Sequence, residues 1–353
     1  ITKFICLFVN LSKKKHILVM MKTQLFLVSI MIVMAQAIDQ FRLDSEWSNF
    51  KKNYGRVYRS SYEEQFRKQI FSDNLELIDQ HNQLYNEGKS SYTLGINQFG
   101  DKSISEFRRL NGLIVSKSVR TAPQIYTDNE VESLPAEVDW TKKGVVAPIK
   151  NQKNCGSCWA FSAVSSMESA HALATGHLVE LSEQELVDCS SSEGDSGCEG
   201  GWMDNGFQYV IDQHGIDTEK SYPYVAMDES CRSYEKNKTI GATIRSYVDV
   251  KQYDEHALQS ACAKVGPISV AIDASSSHFM FYKSGVYNHD DCSQMLLDHG
   301  VVVVGYGTSA SGKQYWKVRN SWGVTWGMDG YILMSRNKDN QCGIASKASF
   351  PVV

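Results

Sequence analysis

The run Gln152-Lys153-Asn154-Cys155-Gly156-Ser157-Cys158-Trp159-Ala160-Phe161-Ser162 decides how this chain is read. Two cysteines three apart are followed by small and apolar residues that predict a buried helix. A helix starting at or just before Cys158 puts that sulfur at the positive end of a helix dipole. Positive potential lowers a thiol pKa, and the thiolate is the nucleophile. Gln152 carries an amide that can donate to a developing oxyanion. The stretch reads as half of an active site, a nucleophile and an oxyanion donor without a base. Cys-x-x-Cys also fits a redox dithiol, two zinc ligands or two unrelated disulfide halves.

A thiol nucleophile needs a base, and the base needs an orienting partner. Of nine histidines, most lie in polar, helical or turn surroundings. His299 differs: it stands in Leu297-Asp298-His299-Gly300, directly before a valine run ending Gly305-Tyr306-Gly307. A rigid strand behind an exposed His is a good platform for a base. Asn320, in Asn320-Ser321-Trp322-Gly323, offers an amide oxygen to fix the ring's tautomer, and Trp322 can shield that bond from water.

Outward from these residues, the 353-residue chain allows more than one unit, and its 42% hydrophobic content is ordinary for a globular protein. Residues 134–353 hold 18 Lys+Arg against 26 Asp+Glu, a net −8. That balance excludes nucleic acid as the expected partner. Eight of nine cysteines lie between Cys155 and Cys342, a density normal for an oxidising compartment. Met21-Lys22, an apolar run from Leu25 to Met34 and Ala35-Gln36-Ala37 have the layout of a secretory leader too short to span a bilayer. We assign residues 1–19 to upstream sequence or leader, 20–37 to a signal peptide cut after Ala37, 38–133 to a pro-segment and 134–353 to the mature domain.

Within residues 38–110, Trp47, Phe50 and Tyr54 predict one apolar helix face. Glu63, Arg67, Phe71, Asn74, Ile78 and Asn82 share a second helical stripe, and its polar members suggest specific pairing, Glu63 with Arg67 among them. Gly95 to Asp101 breaks the helix with a short extended piece. Residues 111–133 read as an exposed linker. In the mature part, Cys158 to Leu173 predicts a helix. Ser182 with Glu185 predicts a capping box. Ile268–Ile272, Gly300–Gly305, Tyr315–Val318 and Gly330–Met334 predict strands. A helical half and a β-rich half leave room for a cleft.

These motifs resemble the cathepsin L-like branch of the papain family of cysteine proteases. Cys155 to Trp159 fits that family's Cys-Gly-[Ser/Ala]-Cys-[Trp/Tyr] pattern, and His299 follows Cys158 by 141 residues, inside the family window. Glu63 through Asn82, and Gly95, Asn97, Phe99 and Asp101, fit its two pro-segment motifs. The resemblance implies an α+β, papain-like two-lobe fold with a helical lobe and a β-barrel-like lobe, preceded by a helical pro-domain. It implies a cofactor-free, metal-free endopeptidase made as a zymogen and freed in acid. Cys158 would be nucleophile, His299 acid/base, Asn320 orienter and Gln152 an oxyanion donor. Disulfides would join Cys155–Cys198, Cys189–Cys231 and Cys292–Cys342, leaving Cys262 as a buried inert thiol. Gly200, Gly201, Trp202, Met203, Ala271, Leu297, Asp298, Gly300, Trp322 and Lys347 would bind substrate. Lys347 departs from the small or apolar residue usual there and predicts a shortened or acid-accepting pocket, unless its ammonium turns to solvent. Lys153 departs from a usual glycine. Asn237-Lys238-Thr239 is a glycosylation sequon. Expected partners are protein and peptide substrates, the chain's own pro-segment and cystatin-like inhibitors, for a monomer in a lysosomal or extracellular compartment. The rival reading is a dithiol oxidoreductase using Cys155 and Cys158.

Overall fold

The computed structural model describes residues 20–22, 24, 26, 31, 34, 38–114, 122, 124–128, 133–233 and 239–353. Residues 1–19, most of the assigned signal peptide and the Asn237 sequon lie outside them. Residues up to Ser72 and from Asp73 onward form two compact units.

In the first unit, residues 38–53 are helical (α1) and the chain then enters α2 (Ser61–Asn86). Trp47, Phe50 and Phe71 are buried together, with Tyr58 stacked on Trp47 and Tyr54 tilted against Phe50. Glu63 accepts the Arg59 backbone N–H, and the Arg67 guanidinium lies 5.7 Å from the Phe66 ring centre.

The second unit continues through β1 (Tyr92–Leu94), α3 (Ile104–Arg108), β2 (Ile125–Tyr126) and β3 (Val138–Asp139). It then runs α4 (Cys158–Thr175), α5 (Glu183–Cys189), α6 (Met203–Asp212), β4 (Ile216–Asp217), β5 (Ile240–Ala242), β6 (Ser246–Val250) and α7 (Glu255–Lys264). It closes with β7 (Ile268–Ile272), α8 (Ser277–Met280), β8 (Tyr282–Tyr287), β9 (His299–Thr308), β10 (Gln314–Arg319), β11 (Tyr331–Ser335) and β12 (Ala348–Val352). The main sheet runs β1-β8-β11-β10-β9-β7-β12-β6-β2, with β3 on β9, so its path is open rather than a closed barrel. Both ends are supplied by residues before 134: Tyr92 opposes Gly285, and Ile125 runs parallel to β6 opposite Asp249.

The extended piece expected over Gly95 to Asp101 falls earlier, at β1, because Asn82 grips Leu94 through both its amide atoms at 2.9 Å. Asn74 likewise donates to the carbonyls of Gly100 and Lys102. These bonds explain why polar residues sit in the α2 stripe. The expected exposed linker is also partly structured, since Ala122 is buried and β2 pairs with β6.

Two cores result. One, under the sheet, gathers Val303, Trp316, Trp322, Trp326 and Phe279 with Leu94, Phe99 and Phe107. The other, among α4, α5 and α6, gathers Trp159, Val164, Leu186, Met203 and Phe207. Helix α4 is buried from Cys158 to Ser169, as an apolar central helix should be. It ends at Gly176, whose φ of 79° closes the last turn. Ser162 and Ser166 let it lie close to the sheet: Ser162 Oγ donates to Val301 O, and Ser269 Oγ reaches both serines.

Disulfides join Cys155–Cys198 and Cys189–Cys231 in the helical half and Cys292–Cys342 in the sheet half. Loops of 42–50 residues contribute about 4 kcal/mol each on a chain-entropy model. Cys262 is a buried free thiol, pushed up to about 12 by desolvation. The expected capping box at α5 is half formed. Ser182 Oγ accepts the Glu185 N–H, but the Glu185 carboxylate is drawn to Tyr209 and the Asp217 N–H. A reciprocal box forms instead at α3, between Ser103 and Glu106.

Candidate active site

Cys158 is the first residue of α4, as its sequence context requires. Its sulfur accepts the Gly300 N–H at 3.4 Å. Gly300 is the second residue of β9, and a Cβ there would stand 3.2 Å from Trp159 Cα, so a glycine lets β9 close onto α4.

His299 begins β9. Its Nε2 lies 2.8 Å from Asn320 Oδ1, which also accepts the Ser321 backbone N–H at 2.8 Å. That second bond fixes the amide's orientation and makes Oδ1 the acceptor. Nε2 therefore carries the ring proton, and Nδ1, buried and without a hydrogen-bond partner, holds the free lone pair. Trp322 stacks on the imidazole, with centroids 4.6 Å apart and planes at 28°. His299 is fully buried, contrary to the exposed base expected, because Trp322 and Phe279 pack around it.

Gln152 is fixed from all sides. Its Oε1 accepts from Ser321 Oγ and Trp322 Nε1, and its Nε2 donates to Cys155 O at 2.9 Å and Leu110 O at 2.8 Å. The segment before it is held by Lys150, whose ammonium lies 2.8 Å from both Glu168 and Glu183. Lys153 adopts a φ of 56°, a conformation natural to glycine and strained for lysine. Its side chain is exposed.

Residues 110–114 cross this site. Gly201 N–H donates to Gly112 O, Ile114 N–H to Gly201 O, and Leu113 N–H to Asp298 O, with Leu113 and Gly201 in a parallel bridge. Asn111 Nδ2 donates to Asp298 Oδ2 at 2.9 Å. A Cβ at Gly112 would stand 1.7 Å from Gly156 O, and one at Gly200 2.6 Å from Gly112 O. Leu113 joins Cys158, Trp202, Met203, Ala271 and Leu297 in one apolar cluster. Lys347 pairs its carbonyl with the Ala271 N–H. Its charge faces Asp204 and Asp249, drawing down two carboxyls that burial pushes up. The hydrogen bonds of residues 110–114 with this site were not legible in the sequence. The glycine in Leu110-Asn111-Gly112-Leu113 was the available signal.

Burial decides the electrostatics. The Cys158 thiol is pushed up to about 12 by desolvation, against weaker backbone donors including the N–H groups of Gly300 and Gly112. The depressed pKa expected from the helix dipole is therefore absent in this closed state. His299 is held down at about 4 by desolvation, against the Asn320 bond. Asp298 is pushed up to about 6 by burial. Burial thus favours the neutral form of both Cys158 and His299 beneath the crossing segment.

Residues 134–352 match the family model for papain family cysteine proteases, and residues 47–107 match the cathepsin propeptide inhibitor domain. The chain belongs to the papain family of cysteine proteases. This protease is 46% identical to the cathepsin L of Sarcophaga peregrina, over 94% of this chain and all of that one. It is 50% identical to digestive cysteine proteinase 3 of Homarus americanus, over 87% of this chain and 94% of that one. The solved structure of a digestive procathepsin L2 proteinase from Tenebrio molitor larval midgut superposes with a TM-score of 0.83 at 41% identity, covering 88% of this chain and all of that one. The protease is a cathepsin L-like zymogen carrying its own inhibitory pro-segment, and nothing in these matches supports a dithiol oxidoreductase. Cys155 is tied to Cys198, which leaves Cys158 as the thiol of the pair.

Proposed function

We propose that the mature enzyme is an endopeptidase in which Cys158, His299, Asn320 and Gln152 carry the reaction. Once the cleft opens to water and substrate, the Cys158 proton moves to His299 Nδ1. The thiolate attacks a peptide carbonyl, whose oxygen takes the donors of Gln152 Nε2 and the Cys158 backbone N–H. His299 returns the proton to the leaving amine, and water then hydrolyses the acyl-enzyme. Asn320 holds the ring's tautomer throughout, and a neutral orienter suffices because the thiolate–imidazolium pair carries both charges.

The observation that carries this reading is the Leu110 carbonyl seated on Gln152 Nε2 at 2.8 Å. A main-chain carbonyl already occupies the donor that the mechanism assigns to a substrate carbonyl. Acid frees the pro-segment, whose residues run 38–133 before a cut near Leu134. Trp202, Met203, Ala271 and Leu297, with Leu113 packed among them, support an apolar or aromatic preference at the second residue before the scissile bond. Lys347 leaves it unchanged in this reading, since its charge acts on the buried Asp204 and the half-buried Asp249. A peptide library in which Asp or Glu at that position favours the wild type over Lys347→Ala would overturn this assignment. The absence of an insertion able to close one end of the cleft supports internal cleavage. The leader-like segment and the disulfides support a lysosomal or extracellular compartment, and we take the enzyme there as a monomer open to cystatin-like inhibitors.

Mild acidification of the zymogen with an epoxysuccinyl probe tests the assignment. Loss of the pro-segment with labelling at Cys158 is expected. Absence of label, with Cys158→Ala maturing like wild type, refutes it.

A further inference from the structure

Three histidines meet where residues before 134 dock on those after it. His81 on α2 lies edge-on to His278 on α8, with ring centroids 4.8 Å apart. His278 stacks on His289, just past β8, at 4.6 Å and 24°. Tyr92 of β1 sits among them. Its hydroxyl is 2.8 Å from His278 Nδ1 and 3.5 Å from His289 Nδ1, and its ring is 4.3 Å from His81. His81 Nε2 reaches the Tyr92 carbonyl at 3.0 Å and Ser90 Oγ at 3.1 Å, and His289 Nε2 reaches Ser276 Oγ at 3.1 Å. No group of ligands suited to a metal ion occurs among the described residues.

We propose that this three-histidine cluster is the acid-sensitive latch of the zymogen: protonation places like charges in ring contact and releases the pro-segment from the sheet half. The inference rests on the reading that acid frees the pro-segment, and it names the groups that sense the acid.

The Tyr92 hydroxyl bonds work only while the His278 and His289 rings are neutral, whereas the His81 donation to the Tyr92 carbonyl survives protonation. The Tyr92 hydroxyl has one proton to give to His278 Nδ1. When both His278 and His289 are protonated, two N–H donors face that one oxygen and its own proton loses its acceptor. Stacked imidazoliums at 4.6 Å repel, and burial limits the water that screens them.

The surrounding charges do not cancel this. Asp273, Asp290 and Asp291 favour a charge on His289, yet burial still holds that ring below its ordinary pKa. Asp273 already accepts the N–H groups of Ser275 and Ser293, and Asp290 is exposed and paired with Lys338. Tyr287 packs beside the stack, and burial keeps its phenol neutral. His81 is held down by burial and by His289. His278 is held at about 4 by burial, His289 and His81. The sign follows. Depressed bases leave the closed form intact above their ordinary pKa near 6.5 and weaken it progressively as pH falls toward 4.

The test uses the full zymogen with Cys158→Ala, which cannot cut itself. Opening is read as pH-dependent susceptibility of the pro-segment to added pepsin and as tryptophan fluorescence, between pH 7 and 3.5. Adding His81→Gln, which keeps a side-chain N–H for the Tyr92 carbonyl, moves the opening midpoint about one pH unit toward acid. The triple variant with His278→Gln and His289→Gln lowers the opening constant at pH 5 by on the order of 100-fold. Variants that open at the parental midpoint overturn the latch while leaving acid release standing. A parental zymogen that stays closed at pH 3.5 overturns both. Should the triple variant not fold, His81→Gln decides alone, because its side chain lies wholly in the pro-segment.

Discussion

The pro-segment holds the enzyme in two different ways. Between residues 92 and 107 it docks with side chains: Phe99 and Phe107 meet the Trp322 ring edge-on at 5.5 and 5.1 Å, Asn97 donates to Met280 O, and Gln98 donates to Trp322 O. Between residues 110 and 114 it blocks chiefly with backbone, and its closest approach is a glycine. Anchoring is therefore apolar burial, while blocking is a steric and hydrogen-bond match to the groups proposed to bind substrate. The two functions can be damaged separately.

The largest separation should come from Phe107→Ala. Phe107 is fully buried, and truncating such a ring costs about 3–5 kcal/mol. The zymogen should then cleave a fluorogenic peptide at neutral pH, while the separately matured enzyme keeps its kcat/KM. Unchanged latency would place the anchor elsewhere. Gly112→Val should cost about 1–3 kcal/mol, the usual range for forced overpacking. Here the zymogen leaks activity while residues 92–107 stay protected in hydrogen exchange; loss of protection in both regions would merge the two modes.

A smaller effect tests the enzyme without its pro-segment. Burial pushes Asp204 up to about 7. A carboxyl raised in this way stabilises the fold below its ordinary pKa and loses that contribution as pH rises through 7. The mature domain should melt higher at pH 5 than at pH 7.5, and Asp204→Asn should flatten the difference by about 1 kcal/mol, some 2–4 °C in Tm. The catalytic half thus gains in acid where the histidine stack loses, and an equal acid loss in both would break the contrast. Smallest is Lys153→Gly. Relief of its left-handed backbone should add at most about 1 kcal/mol to thermal stability. Latency should not change.

The proposed catalytic set was legible because its chemistry is local in each case: a thiol at a helix start, a His before a valine run, an amide beside Trp322. What could not be read was the state of those groups. The sequence places Cys158 at a dipole that lowers its pKa, yet desolvation by whatever lies above it wins, and that cover comes from residues more than forty positions away. His299, expected exposed, is buried by Trp322 and Phe279, which the fold brings against it. His81, His278 and His289 looked unremarkable because only the pairing of β1 with β8 brings them together. The Ser182 box failed halfway because Glu185 found better partners in Tyr209 and Asp217.

Both ends of the main sheet are finished by strands that the proposed cut near Leu134 would remove. Losing β1 strips the free side of β8, and losing β2 strips that of β6. The freed N–H and C=O groups can template another chain. Each newly bared edge carries an exposed lysine, Lys283 on β8 and Lys251 just past β6, as an edge guarded against adhesion would. On that cut, activation would expose two strand edges that the zymogen keeps paired.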